Sequence, residues 1–330
     1  MIRDGAIERL REVVDWPDLA GTRYEAREVL GRGGMGTVYR ALDHSLEREV
    51  ALKVLRTSES GADEAGRLLR EARVLARLEH PGLVPVHDAG VLPDGRPFYV
   101  MRLVRGTCLD AHVAALAPAL PARLQLFQRV CEAVAFAHAH GVVHRDLKPQ
   151  NVMVGPFGEV LVMDWGVARL LGDGAEAAAP VRGAGAGTRA GTVMGTPGYM
   201  APEQAGGSSA SADERADVYA LGALLFFLLA GRPPDGPGMP EAPLGGPGQS
   251  APRPLAAIVR RALAPRPAER YPNVTGLAAD VEAFLAAGRV TAHREGPFEK
   301  AGRLLGRYRT AVLLVIAYLL MRVLLLVYAR

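Results

Sequence analysis

Lysine is nearly missing from this chain. Of its 39 lysine and arginine residues only Lys53, Lys148 and Lys300 are lysines. Cysteine is as scarce. Cys108 and Cys131 form neither a metal-ligand spacing nor a disulfide framework, so a cysteine zinc site and a disulfide-stapled scaffold are excluded, and a reducing compartment is expected. No basic patch is interleaved with aromatics, which speaks against a nucleic-acid partner. A signal peptide is also missing: residues 1–15 are too charged for an apolar core, and Ile7, Leu10, Val13 and Val14 instead fall on one face of a short helix. There is no internal repeat.

What is present suits a globular protein. The chain has 330 residues, 49% hydrophobic and 22% charged, enough for one large two-lobed domain with an appendage or for two ordinary domains. The net charge of +4 is mild, and much of the excess lies near the C-terminus, as expected of a segment beside a membrane. Strand-like segments run over 24–30, 37–42, 49–55, 84–91 and 97–103, interrupted by one helix at 63–78 that His80-Pro81-Gly82 stops. Beyond Gly106 the pattern turns helical. Leu124, Phe127, Cys131, Val134 and His138 keep a 3.6-residue period, two short strands fit 152–154 and 159–162, and helices are expected at 218–229, 255–263 and 276–287. The Gly/Ala-rich stretch 172–191 has too little apolar surface to bury and reads as a loop.

Three strings carry chemistry. Gly31-Arg32-Gly33-Gly34-Met35-Gly36 is a glycine-rich turn. A dinucleotide site would need it to lead into a helix, but here it lies between two strand-like segments with Val38 just after, as in a flap whose backbone closes over phosphates. Lys53 follows 17 positions after Gly36, among Ala51, Leu52, Val54 and Leu55. A lysine in a buried strand needs a partner, and Glu71 on the next helix is the expected one. The third string, His144 to Asn151 followed by Asp164-Trp165-Gly166, is the most specific. Asp146 can take the proton of an attacking hydroxyl, while Asn151 and Asp164 offer the oxygen ligands that magnesium prefers. A compact ammonium at Lys53 and Lys148 is poorly replaced by a planar guanidinium, which accounts for lysine at these two places in an arginine-rich chain.

Residues from about Gly21 to Ala287 resemble the serine/threonine protein kinase family, in its bacterial eukaryotic-like (Hanks-type) branch. The resemblance rests on the three strings and on Glu71, Gly195 to Glu203 and Asp217 to Gly222. It implies an α+β, two-lobed kinase fold, with a β-rich N-lobe at about 24–103 and an α-rich C-lobe at about 107–287, after an N-terminal extension over 1–23. It implies transfer of the γ-phosphate of MgATP to Ser/Thr hydroxyls of proteins, with ATP and Mg2+ as cofactors. Asp146, Lys148, Lys53, Glu71 and Thr196 would be the catalytic set. Gly31, Arg32, Gly33, Gly34, Met35, Gly36, Val38, Ala51, Met101 and Leu103 would line the nucleotide site, with Met101 as gatekeeper, 102–104 as hinge, and Asn151 and Asp164 as metal ligands. Glu203 would pair with Arg270, and Asp217 would brace the catalytic loop. A homodimer phosphorylating itself in trans is among the implied partners. The rival reading is a pseudokinase scaffold that binds partners without turnover; a kinase of small molecules is the other alternative.

The chain departs from the family pattern at Trp165, which replaces the usual Phe and needs a larger pocket, and in an unusually long activation segment before Thr192, in which the resemblance implies activation by phosphorylation at Thr188 or Thr192. The region after Leu229 is short and rich in Pro and Gly, leaving little room for helix G. Residues 311–328, AVLLVIAYLLMRVLLLVY, span about 27 Å as a helix, close to the hydrocarbon thickness of a bilayer. This segment is expected to be a transmembrane helix preceded by a basic juxtamembrane segment, 288–310. Arg303, Arg307 and Arg309 place the catalytic domain on the cytoplasmic side of the cell membrane. Arg322 is the one charge within the span, and only two residues follow Tyr328, an arrangement expected of a tail anchor.

Overall fold

The computed structural model describes residues 16–33, 36–55, 72–165, 169–170, 198–205, 213–236, 251–294, 296 and 309–328. The expected helix within 1–15 and the Gly/Ala-rich stretch 172–191 lie outside these residues. So does most of the expected helix at 63–78, of which 72–75 is helical as described.

The N-lobe is an antiparallel sheet of β1 (Tyr24–Gly33), β2 (Gly36–Asp43), β3 (Arg48–Leu55), β4 (Val86–Val91) and β5 (Pro97–Arg102), in the order β1-β2-β3-β5-β4. Strand alternation sorts its side chains into two faces. Val50, Leu52 and Val54 of β3 join Phe98 and Val100 of β5, with Tyr39 and Tyr24, in a core on one face. Ala51, Lys53 and Leu55 point the other way, beside Tyr99 and Met101. The β1–β2 hairpin carries two register shifts, between Ala26 and Glu28 and between Val29 and Gly31, and such bulges raise local twist toward its glycine end. A Cβ on Gly36 would collide with the Val54 carbonyl oxygen, so only glycine lets β2 start this close to β3. The fourth strand starts at Val86 and not at Val84 as the apolar run suggests, because Pro85 has no amide to donate to the ladder.

The C-lobe is built around helices. Short β6 (Thr107–Cys108) pairs with β8 (Val152–Val154), which pairs with β9 (Val160–Val162). A Cβ on Gly106 would strike the Val154 carbonyl, so glycine is needed where the interlobe linker meets this small sheet. Helices α1 (Leu109–Leu116) and α2 (Leu120–Ala139) follow the linker, the two-residue β7 (Val142–Val143) comes next, and α3 (Pro202–Ala205) is a single turn. Helix α4 (Glu214–Ala230) is the axis of the lobe. Every residue from Ala216 to Leu229 is buried, as fits a helix apolar all round and enclosed by others. It begins four residues before the expected Val218, because the Asp213 side chain accepts from the Arg215 amide at 2.8 Å and caps a polar first turn. Gly231, at φ 74°, ends it. Helices α5 (Arg253–Ala262) and α6 (Val274–Leu285) complete the bundle, each beginning two residues earlier than the sequence suggests.

Packing does not stop at Ala287, the expected end of the domain. Val290 is buried in the main core. Asp280, only 2% exposed, holds the segment that follows. It accepts from the Thr291 amide at 2.7 Å, the Thr291 hydroxyl at 2.8 Å, the Ala292 amide at 3.0 Å and the Tyr271 hydroxyl at 2.7 Å. The last helix, α7 (Arg309–Tyr328), is twenty residues long, and its described side chains are all exposed. Among the described residues no helix is long and apolar enough to cross a membrane; nine residues of α7 have side chains outside those described.

Burial works to raise the Asp280 pKa, but the hydrogen bonds from Thr291, Tyr271 and Ala292 outweigh it and hold the carboxyl below its ordinary 3.8. Asp280→Ala should cost about 2–3 kcal/mol of stability, since it strands the buried Tyr271 hydroxyl and the part-buried donors of Thr291 and Ala292. Urea midpoints measured against pH check this. The gap from wild type should be full above pH 3.8 and narrow as pH falls through the lower folded value, because a depressed carboxylate loses the contribution of its charge on protonation.

Candidate active site

The cleft between the lobes is lined from above by the β3–β5 face. Lys53 lies opposite Val38 of β2 on one side and Tyr99 of β5 on the other, and Ala51 lies opposite Met101. Directly paired residues in an antiparallel ladder share a face, so Val38, Ala51, Lys53, Tyr99 and Met101 form one surface. Leu103, half-buried, sits in the linker just past β5. Gly31, Arg32 and Gly33 end β1 at the hairpin tip opposite Val38, Thr37 and Gly36. A cavity of about 20 Å³, room for one water molecule, lies behind this face between Tyr99, Met101, Asp164 and Trp165.

The lower wall is a loop held from below by one carboxylate. Asp217 in α4 is fully buried. Its Oδ2 accepts from the His144 amide and from His138 Nε2, both at 2.8 Å, and its Oδ1 accepts from the Arg145 amide at 2.8 Å. Arg145 takes φ 70°, a left-handed conformation that costs a side-chain-bearing residue energy and persists only where surroundings impose it. Gln204 adds a bond from Nε2 to the Arg145 carbonyl at 3.2 Å. His144 is locked as well. The Asp146 amide donates to its Nδ1 at 3.2 Å, so its Nε2 carries the proton and donates to the Met163 carbonyl at 2.9 Å.

On this loop Asp146 meets its neighbours. Lys148 Nζ donates to Asp146 Oδ2 at 2.7 Å. Asn151 Nδ2 donates to the Asp146 carbonyl at 2.7 Å and to Oδ2 at 3.1 Å. The Met163 amide donates to the Asn151 carbonyl at 2.8 Å, which sets Asp164 beside Asn151. Asp164 takes φ 58° and pairs directly with Lys53 across the cleft. The two groups shift each other. Burial lowers the Lys53 ammonium, but its partnership with Tyr99 and Asp164 outweighs this and raises its pKa. Burial raises Asp164, and the Lys53 charge and hydrogen bond overcome it and hold the carboxyl below its ordinary value. The donor set fits a hard cation: Asp164 stays ionised, and the Asn151 amide nitrogen is committed to Asp146, leaving its oxygen as the group suited to a metal.

Trp165 fits where the sequence expects a larger pocket. It is 6% exposed, its Nε1 donates to the Val162 carbonyl at 3.2 Å, and its ring lies 4.5 Å from that of His144. Farther down, Arg270 and Glu203 make two bonds, Nη1 to Oε1 at 2.6 Å and Nη2 to Oε2 at 2.8 Å, and Arg270 also donates to the carbonyls of Ala264, Pro265 and Arg215.

The structure thus brings Lys53, Asp146, Lys148, Asn151 and Asp164 into one cleft. Among the described residues the ion-pair partner of Lys53 is Asp164; the pairing expected with Glu71 falls outside them. Glu71, Gly34, Met35 and Thr196 lie outside the described residues, as do Thr188 and Thr192. Sequence reasoning misses two groups. It shows His138 only as part of the apolar stripe of α2, yet the ring nitrogen of that residue serves Asp217. It shows Tyr99 only as a strand residue; strand alternation puts it on one face with Met101, but the register that sets it against Lys53 is not written in either strand alone.

Comparison with known proteins agrees with this geometry. The protein kinase domain family matches residues 24–238. The serine/threonine-protein kinase PknB of Mycolicibacterium smegmatis is 38% identical over 283 residues, covering 80% of this chain and 43% of that protein. The DNA damage-responsive serine/threonine-protein kinase RqkA of Deinococcus radiodurans is 45% identical over 224 residues, 66% of this chain and 31% of that protein. The chain therefore spans less than half the length of these curated relatives. Among solved structures, the Mycobacterium tuberculosis PknI kinase domain superposes with a TM-score of 0.58 at 33% identity, covering 81% of this chain and 98% of that one. With the motifs, the lobes and the cleft in agreement, the chain belongs to the protein kinase family, in its bacterial Hanks-type serine/threonine branch.

Proposed function

We propose that this chain is a serine/threonine protein kinase that transfers the γ-phosphate of MgATP to Ser and Thr hydroxyls of proteins. The observation that carries this reading is the meeting of Asp146, Lys148 and Asn151 with the Lys53–Asp164 pair in one cleft. Phosphoryl transfer needs positioning and charge neutralisation more than covalent chemistry, and this set suffices for both. In this reading Asp146 orients the attacking hydroxyl and takes its proton. Lys148, with Thr196, would steady the hydroxyl side of the reaction, and Lys53 would neutralise the phosphates beneath the glycine-rich hairpin. Magnesium, when bound, supplies charge neutralisation at the phosphate oxygens, and Asn151 and Asp164 would hold it. Lys53→Met or Asp164→Ala should lower phosphotransfer at least ~10³-fold, as befits removal of a charge clamp, while circular-dichroism melts show a folded domain. Near-normal turnover in either folded variant would defeat the assignment. Loss in both, and in Asp146→Asn, would exclude the pseudokinase alternative.

Arg145 supports a reading in which phosphorylation activates the kinase. It precedes Asp146 in a strained conformation, its backbone tied to Asp217 and its carbonyl to Gln204. A phosphothreonine of the activation segment, at Thr188 or Thr192, would offer the complementary charge and order that segment. Mass spectrometry of the active protein should find phosphate at one of them. Full activity with neither modified would argue against the switch.

The C-terminal helix supports a membrane anchor. Twenty residues rise about 30 Å, the thickness of the hydrocarbon core. Leu314, Val315, Ile316, Leu319, Leu320 and Leu325 are all exposed, an apolar surface that no other described residue covers. The arginines preceding it favour a cytoplasmic kinase domain. Deleting 309–330 should release a soluble, active kinase, and the full chain should stay with membranes through carbonate extraction. Extraction by carbonate would favour a helix lying at the interface; loss of activity on deletion would mean the helix packs on the domain.

A further inference from the structure

The last elements of the C-lobe carry a surface of one sign. Between Arg253 and Arg294 the sequence has seven arginines and three acidic residues, against 39 basic and 35 acidic in the whole chain. Two of the three acids are engaged. Glu269 pairs with Arg266, and the buried Asp280 is saturated by donors from Tyr271, Thr291 and Ala292. Arg260, Arg289 and Arg294 are exposed, and none of them pairs with a carboxylate among the described residues. Exposed arginines elsewhere do pair: Arg23 with Asp88, Arg105 with Glu49 and Arg232 with Asp235. One side chain joins the two stretches of the patch. Arg261, next to Arg260 in the last turn of α5, lies over the Tyr271 ring at 4.3 Å, and its Nη1 donates to Thr291 Oγ1 at 3.3 Å. The end of α5 is thereby set beside 289–294, with Arg289 two residues before Thr291 and Arg294 three after it. Both helices behind the patch are fixed, α5 on α4 and α6 on α2 and α4. A helix dipole favours arginine in a last turn, which accounts for Arg260 and Arg261. It does not account for Arg289 and Arg294, which lie beyond the last turn of α6. The remaining acid, Glu282, is two residues from Asp280, about 200° round α6 from the side chain that holds Thr291. Glu295, which follows Arg294, lies outside the described residues.

Unpaired guanidinium groups select anions, and phosphate oxygens match their planar fork. Such phosphate can come free in solution or as the headgroups of a bilayer. Chain connectivity favours the bilayer. Arg309, where α7 starts, is 13 positions beyond Gly296, and a fully extended chain of that length reaches about 45 Å at most. With α7 in the membrane, the patch is kept within that distance of the cytoplasmic leaflet. Anionic lipids there strengthen binding about five-fold for each arginine near the surface. Leu285, in the last turn of α6 ahead of Arg289, is 37% exposed and adds an apolar side chain suited to the headgroup boundary. We propose that Arg260, Arg289 and Arg294 form a docking face for anionic lipid headgroups, which holds the C-lobe against the bilayer that α7 enters. The proposal rests on the anchor reading above.

Arginine labelling of the full chain tests it. The chain is reconstituted in nanodiscs of phosphatidylcholine, or of phosphatidylcholine with about 30% phosphatidylglycerol, and treated with phenylglyoxal, with each arginine read by mass spectrometry. Arg260, Arg289 and Arg294 should react about five-fold more slowly in the anionic discs, while Arg27, exposed on β1, reacts equally in both. Salt at about 0.5 M should erase the difference, because it screens charges beyond about 4 Å. In Arg260→Glu/Arg294→Glu, Arg289 should label at one rate in both discs; should that variant fail to fold, Arg289→Glu read at Arg260 takes its place. Equal rates for the wild type in the two discs would overturn the proposal, as would protection that survives the salt. Protection in phosphatidylcholine discs by added inorganic phosphate or a short RNA, with none from phosphatidylglycerol, would assign the patch to a soluble anion and overturn it as well. A wild-type chain that elutes free of the discs would overturn the anchor reading instead. The patch is then judged by sedimenting the same chain with vesicles: binding to phosphatidylglycerol and not to phosphatidylcholine, lost in the charge-reversed variant, upholds the docking face, and no binding overturns it.

Discussion

The carboxylate of Asp217 sits at 0% exposure inside the helical lobe and accepts hydrogen bonds from the His144 and Arg145 amides and from His138. Burying an ion is costly unless donors replace its hydration, and these three do so. Burial raises its pKa, the His138 and His144 contributions overcome that, and the group stays ionised, below the ordinary carboxylate value. The loop that bears Asp146 depends on this anchor. Without it, two consecutive amides would lack partners and Arg145 would have less reason to hold a left-handed backbone. The helix supplying the anchor is itself enclosed by apolar contacts on every side. The rigidity of the lobe is passed to the cleft through one side chain.

The upper wall is positioned by a different device. Strand alternation and register do for Lys53 what a buried carboxylate does for Asp146. The even-numbered residues of β3 and β5 build a core that fixes the sheet, and the odd-numbered ones then have no choice but to face the cleft. One lobe positions by backbone ladder, the other by a buried ion and its donors. The Lys53–Asp164 pair joins them.

Two parts of the chain extend the domain beyond its motifs. Trp16 stacks edge-on against Tyr39, with ring centres 5.3 Å apart, so the residues just before β1 cover the back of the N-lobe. At the other end, Asp280 binds Thr291 and Ala292 and holds the segment that follows α6 against the C-lobe.

The contiguous features of this protein were legible in its sequence. The order of strands and helices, the glycine-rich hairpin, the string from His144 to Asn151 and the Asp164-Trp165 pair are local, because a strand face, a helix stripe or a tight turn is decided by residues a few positions apart. The tertiary structure decided what lies between distant segments. It brought Asp164, 111 residues away, against Lys53, and it set Asp217, 73 residues from His144, beneath the loop. It put Tyr99 opposite Lys53, started α4 at a polar turn and carried the core past Ala287 to Val290. Periodicity records which face of an element is apolar. Register, capping and the choice among candidate ion partners depend on how elements close upon one another, and that is settled only when the core has packed.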